Sequence, residues 1–292
     1  MKPTIQQGEK SEEMPKLSII VATLNSSSTI RSCLESIKRQ TFSDYEIVLQ
    51  DGVSSDDTLA LVAEFAASNK DIVIRVLQER DSGAYDAMNK AMGRATGEWI
   101  YFLGSDDELY DPNGLSKMLG SPEAADADVL YSNVKMIEPN GELQDAMVYD
   151  GPFNLKKLLR RNIAHQGMIY RRAFAKSVGE FNLRYRILAD WDYNLRCWSR
   201  TKFRYIDVIL AVFRLGGLSG GCGDDPYFGQ EVGRNAMEYF GWSMFHPLLN
   251  SRNFAGRTGI AKLQLSKSRV HFAVGKAIRA AMKLVDKPVA PQ

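Results

Sequence analysis

Two adjacent carboxylates, Asp106 and Asp107, follow directly on the run Glu98-Trp99-Ile100-Tyr101-Phe102-Leu103 and a Gly104-Ser105 turn. The run is apolar and aromatic, as a strand buried on both faces requires. In an open parallel sheet, ligands bind just past the carboxyl ends of the strands. Paired hard oxygen donors at that place suit Mg²⁺ or Mn²⁺, which is commonly held by one or two carboxylates together with substrate phosphates. Similar carboxylates recur at two earlier strand ends, Asp51 after the run 45–49 and Asp81 after 72–77. A lone loop Asp is usually a solvated surface acid. A row of them along one sheet edge offers acceptors for a base imide or ribose hydroxyls beside a metal–diphosphate site.

The elements that must carry this row alternate regularly. Leu17–Thr23 (LSIIVAT) reads as a β-branched first strand, followed by helix-capping residues Asn25 to Ser28 and apolar positions Ile30, Cys33, Leu34 and Ile37 at helical spacing. Ser55-Asp56-Asp57 opens a helix with the face Leu59, Val62, Phe65 and Ala66. A third helix, over 84–95, buries Ala84, Ala87, Met88 and Ala91 and closes at Gly97. Strands joined by crossover helices of about a dozen residues predict a parallel, doubly wound α/β sheet. Asp111-Pro112 opens a short helix, 128–137 is a further strand, and Pro139-Asn140-Gly141 turns into a hairpin. Beyond about residue 150 the order is mixed: helices near 154–161 and 190–199, strands near 167–170 and 203–213, a glycine loop at 216–223, and a mostly helical remainder to 285. The division expected is a disordered head over 1–15, a catalytic domain over 16–225 (nucleotide half about 16–110, acceptor half about 111–225), and a helical, basic extension over 226–292.

Composition narrows the class. The chain has 292 residues, is 45% hydrophobic and 25% charged, and has no apolar leader or spanning stretch. Its cysteines, Cys33, Cys197 and Cys222, form no CxxC pair, which argues against structural zinc or a disulfide framework and fits a reducing cytoplasm. Residues 251–292 carry nine Lys/Arg against Asp286 alone, +8, so with a total of +2 the first 250 residues carry −6. In 259–285 these cations are interleaved with apolar residues, the pattern of helices lying on an anionic membrane surface at the inner face of the cell membrane. A helix docked on the acidic body fits the same pattern. Nothing in the charge distribution suggests a nucleic-acid partner.

Several α/β chemistries lack their apparatus. No GxGxxG follows the first strand, no GxxxxGK[ST] occurs anywhere, and HExxH is absent. A sugar nucleotidyltransferase would share the sheet and the metal but needs a glycine-rich basic loop where Ser26-Ser27-Ser28 stands. A non-catalytic nucleotide-sugar-binding protein is the other alternative.

Four segments in order, IIVATLN at 19–25, DGVSSDDT at 51–58, RDSGAYDAMNKAM at 80–92 and FLGSDD at 102–107, resemble the family 2 glycosyltransferases of GT-A fold, in particular bacterial O-antigen and exopolysaccharide transferases. The resemblance spans about 16–220. It implies transfer of a sugar from a nucleoside-diphosphate donor, a UDP-sugar, to a hydroxyl of a lipid-linked or growing glycan, with inversion. It places Thr23, Asn25, Asp51, Asp81 and Asp106 on the donor nucleotide, with Asp51 on the base, and Asp106 and Asp107 on Mg²⁺ or Mn²⁺. Many members carry a carboxylate where this chain has Gly104, and paired acids where it has Gln50-Asp51. Ala189-Asp190-Trp191-Asp192 resembles the segment whose Asp is the catalytic base, which falls on Asp190, with Ala189 in place of the usual Glu. By residue type alone Asp190 could equally cap its helix. His165, Gln166, Trp191 and Arg214 are further candidates for donor or acceptor contacts, with core packing the competing role for His165 and Trp191.

Overall fold

The computed structural model describes residues 5–7, 14–138, 146–215 and 225–241. These fall into two compact units. The first contains everything up to Pro152, Ile163–Leu183, and the chain from Thr201 to residue 215; the second contains Phe153–Asn162, Arg184–Arg200 and 225–241. The glycine loop 216–223, the turn 139–141 and the basic stretch 259–285 lie outside the described residues.

In the first unit the strands β2 (Leu17–Thr23), β3 (Tyr45–Asp51), β4 (Val73–Gln78) and β5 (Trp99–Gly104) form a parallel sheet in the order β4-β3-β2-β5. The alternation of side chains along a strand explains why both faces are apolar. Ile19, Val21, Ile47, Leu49, Tyr101 and Leu103 join one core with α1 (Ile30–Lys38) and α2 (Thr58–Ser68). On the other face Phe102 meets the rings of Tyr170 and Phe181 at 6.0 and 5.3 Å. Fully burying each such side chain contributes about 1.5–3 kcal/mol, so the strands are fixed far more firmly than their loops. The helix α3 (Ala84–Arg94) completes the alternation expected for this half.

In the second half the mostly parallel GT-A-like sheet becomes mixed, in keeping with the mixed order expected beyond about residue 150. β7 (Val129–Ile137) and β10 (Phe203–Arg214) run parallel to each other, but β9 (Met168–Arg171) is inserted antiparallel between β5 and β7. β6 (Glu108–Leu109) pairs antiparallel with β10, and β8 (Met147–Tyr149) with β7. Hydrophobicity cannot reveal this reversal, because β9 is equally buried in either direction. A correction concerns the head: within 1–15, Ile5–Gln7 forms β1, antiparallel to β4. β4 is the sheet's edge on that side, and its otherwise unpaired backbone groups accept a further strand. The short helix expected at Asp111-Pro112 begins later, as α4 (Gly114–Leu119), because the Asp111 carboxylate accepts from the Asn113 N–H at 2.9 Å and makes a turn first.

The first unit also contains α6 (Arg172–Val178). The second unit contains α5 (Leu155–Leu158), α7 (Ala189–Trp198) and α8 (Pro226–Phe240). Asp192 ties α7 to α8: buried, it accepts from Arg196 at 2.9 Å on its own helix, and from Asn235 at 3.2 Å and Tyr239 at 2.8 Å on α8.

Candidate active site

Register alone brings the strand ends to one edge. Thr23 pairs with Asp51, Asp51 with Gln78, and Ala22 with Gly104. Past this edge lies a cavity of about 500 Å³ within the first unit, lined among others by Thr23, Asn25, Asp81, Asp106, Asp107, His165 and Gln166. The candidates thus converge, with informative exceptions.

Asp107 is 1% exposed. Its Oδ2 accepts from the Gln166 side-chain amide at 2.9 Å, while its Oδ1 has no hydrogen-bond partner among the described residues. Burial and the neighbouring Asp106 carboxylate push its carboxyl up to about 7, against the pull of Gln166, His165 and the Arg214 main chain. A buried carboxylate oxygen without a partner is costly to the fold, which marks a place where something else binds. Gly104 explains how the pair is accommodated. A Cβ at that position would stand 2.5 Å from Asp107 Oδ2 and 2.8 Å from Asp106 Oδ1. The two carboxylates occupy the space a side chain there would need.

Gln166 reaches Asp107 because β9 is antiparallel to β5. The pairs Trp99–Arg171 and Tyr101–Ile169 put the start of β9 beside the end of β5. The 3₁₀ turn His165–Gly167 is fixed there by Tyr101, whose hydroxyl donates to the Gln166 carbonyl at 2.8 Å. A parallel β9 would have delivered His165 and Gln166 to the far edge.

Thr23 carries the second orphan: its Oγ1, in a residue 4% exposed, has no partner among the described residues. Asn25 lies in left-handed backbone (φ 51°), and its side-chain oxygen accepts from the Ser55 N–H at 2.9 Å, clasping the β2 and β3 loops. Ser26 and Ser105 hydroxyls meet at 2.9 Å across the cavity wall. Asp81 lines the cavity and accepts from the Gly83 N–H at 3.0 Å, yet burial raises its carboxyl above the usual range. Gly52 makes room for it, since a Cβ there would lie 2.7 Å from Asp81 Oδ2.

Asp51 is not among the residues lining the cavity. It is fully buried, and its oxygens accept from the Val53 N–H at 3.0 Å, the Ser54 N–H at 2.9 Å, the Ser54 hydroxyl at 2.5 Å and Gln78 at 3.3 Å. Three of these four bonds come from its own loop and the fourth from β4. Arg214 ends β10 beside Phe213, which does line the cavity, and its guanidinium lies 4.0 Å from Glu108. Cys33, under the Gly104 turn, donates weakly to the Gly104 carbonyl at 3.4 Å, and burial raises its thiol well above the ordinary value.

Asp190 and Trp191 belong to the second unit. Asp190 does not cap α7, whose N-cap is Leu188. Its Oδ1 accepts from the Trp191 N–H at 2.8 Å and its Oδ2 from Asn162 at 2.8 Å. Trp191 donates through its indole to the Leu158 carbonyl at 2.7 Å, and its ring lies 5.2 Å from that of Phe228, so packing within its unit accounts for its position. Sequence reasoning did not single out Asn162, Ser105 or Phe213. Ser105 could have been found as the residue between Gly104 and the acidic pair; the others carry no local signal.

The donor set fits a hard divalent cation. Two carboxylates stand at a strand end, one of them with a buried oxygen that has no partner among the described residues, and an ion of this kind completes its shell with phosphate and water. Among the described residues no group of three or more His, Cys, Asp and Glu is placed to hold a metal by itself.

A strand-end carboxylate pair on a mixed α/β sheet is compatible with more than one transferase chemistry, and comparison with known proteins names the family. The model of "Glycosyl transferase family 2" matches residues 18–178. The chain is 41% identical over 220 residues to the "PGL/p-HBAD biosynthesis glycosyltransferase" Rv2957 of Mycobacterium tuberculosis, a match covering 73% of this chain and 82% of that one. Among solved structures, S. aureus TarS 1–349 in complex with UDP-GlcNAc is similar with a TM-score of 0.60 at 23% identity, over 83% of this chain and 69% of that one. The mannosyltransferase PcManGT of Pyrobaculum calidifontis, in complex with GDP-Man and Mn²⁺, is similar with a TM-score of 0.53 at 15% identity, over 94% and 82%. The chain belongs to glycosyl transferase family 2 and has the GT-A fold. It is a glycosyltransferase.

Proposed function

We propose that this glycosyltransferase takes its sugar from a nucleoside-diphosphate donor, a UDP-sugar, and passes it with inversion to a hydroxyl of a lipid-linked or growing glycan in surface polysaccharide or glycolipid assembly. The observation that carries the reading is the buried, unpartnered Asp107 Oδ1 on a cavity that also holds Asp106, Asp81 and the unpartnered Thr23 hydroxyl. The nucleotide-sugars in the TarS and PcManGT complexes and the named biosynthetic role of the mycobacterial relative support it.

In this reading Asp106 and Asp107 would hold Mg²⁺ or Mn²⁺. The ion, when bound, stabilises the charge that accumulates on the departing diphosphate. Gln166 fixes one Asp107 oxygen and leaves the other to the site. Thr23, Asn25 and Asp81 contact the nucleoside, and Asp51 supports them by holding the loop after β3. Asp190 accepts the proton of the attacking hydroxyl as the bond to the sugar forms, so the enzyme needs no covalent intermediate. The interleaved cations of 259–285 bring the protein to an anionic cytoplasmic leaflet, where each contributes about 1 kcal/mol.

The test is a panel of UDP- and GDP-sugars given to purified protein with Mn²⁺, scored for nucleoside diphosphate released in the presence of acceptor. Release is expected with one donor class, and Asp190→Asn should keep nucleotide binding while losing transfer. Pyrophosphate release from a nucleoside triphosphate would overturn the assignment. Equal binding of full-length protein and a truncation at residue 251 to anionic vesicles at low salt would remove the membrane role of the tail.

A further inference from the structure

Asp190 stands at the second position of α7 and is 8% exposed. Its Oδ2 accepts from Asn162 Nδ2 at 2.8 Å, and Asn162 Oδ1 accepts in turn from Asn194 Nδ2 at 2.8 Å. Asn194 is fully buried and lies four residues after Asp190, one turn along the same helix. All three belong to the second unit.

Both Asp190 oxygens accept, which gives this chain of contacts a direction. Asn162 turns its amino group to Asp190 and its carbonyl oxygen to Asn194. Asn194 must then donate. Reversing either amide would set like atoms against each other at hydrogen-bond distance. Two amides that could each adopt two orientations are thereby locked into one, and the carboxylate is locked with them. The Trp191 N–H holds the other oxygen. A carboxylate anchored at both oxygens keeps one orientation.

We propose that Asn162 and Asn194 are positioning residues of sugar transfer: Asn194 orients Asn162, and Asn162 holds the Asp190 carboxylate in one orientation for the acceptor hydroxyl. This rests on Asp190 being the base. Because base and Asn194 share α7, the helix sets the site of the base and its orientation together. A reacting group displaced by about 1 Å loses on the order of 10²-fold in rate, which is the scale on which the amides should matter.

Asn162→Leu, close in volume but unable to donate, is expected to lower kcat about 10- to 100-fold with donor KM within twofold of wild type. In the Asp190→Asn background the same change should cause no further loss, since nothing remains to be oriented. A purely structural Asn162 would instead lower the melting temperature and give losses that multiply in the double variant, and that result overturns the proposal. Should Asn162→Leu not fold, Asn162→Ser and Asn162→Ala decide the matter: the hydroxyl donor of Ser should retain clearly more kcat than Ala, and equal rates overturn it. The two readings fail separately. Full transfer by Asp190→Asn removes the base itself, whereas an inactive Asp190→Asn beside a fully active Asn162→Leu removes only the positioning role.

Discussion

The ends of β3 and β5 flank β2 at the same edge of one sheet, and each presents a buried carboxylate. At β3, Asp51 has its oxygens engaged by two backbone N–H groups, a hydroxyl and an amide of its own surroundings. At β5, Asp107 has one oxygen on Gln166 and the other without a partner among the described residues. The two are the same residue type, Asp51 closing β3 and Asp107 standing three residues past the end of β5. A carboxylate satisfied from within stabilises its loop, whereas one left half-satisfied destabilises the fold until a ligand arrives. The difference is the ground for proposing that Asp51 builds the site and Asp107 works in it.

The largest effect expected is at β5. Asp107→Asn, or Asp106→Asn, should lower turnover by about 10²-fold or more, the scale of removing an electrostatic stabiliser. The melting temperature of the metal-free Asp107→Asn protein should not fall, because the change removes a desolvated charge rather than a satisfied one. EDTA should reduce the wild-type enzyme to a similar level, with Mn²⁺ or Mg²⁺ restoring it; full turnover in chelator would take the ion out of the site.

At β3 the pattern should invert. Asp51→Asn is expected to cost about 1–3 kcal/mol in urea unfolding, since it weakens charge-assisted hydrogen bonds inside the fold, with donor KM little changed. If that variant melts normally but its donor KM rises tenfold, Asp51 binds the base after all and the contrast between the two ends disappears.

The smallest effect concerns the loop that Asp51 holds. Val53 has φ 71°, a left-handed conformation that is strained for a β-branched residue. Asn tolerates it better, so Val53→Asn should raise stability by about 1 kcal/mol or less with turnover unchanged. A loss of stability would mean that the exposed Val53 side chain makes contacts that outweigh the strain.

Much of the first half was legible because its cause is local. Alternating β-branched strands and helices with apolar faces at 3.6-residue spacing follow from the order of residues, and Asp81, Asp106 and Asp107 sit where strand ends put them. Gly104 and Gly52 are legible only in retrospect. Their missing side chains matter because the Asp106, Asp107 and Asp81 carboxylates fold into that space.

The sequence by itself determined the parallel α/β half, the acidic strand ends and the family to which the chain belongs, because short-range periodicity and ordered motifs encode them. Only the tertiary structure decided that β9 runs backwards and so brings His165 and Gln166 to the carboxylates. It also decided that Asp51 turns its oxygens inward, and that Asn162 and Asn194 form a line to Asp190. The contacts of Gln166 with Asp107 and of Asn162 with Asp190 and Asn194 join residues 28 to 59 positions apart. Which of these groups packing brings together, and which way a strand runs, is recorded by no local pattern of residue types.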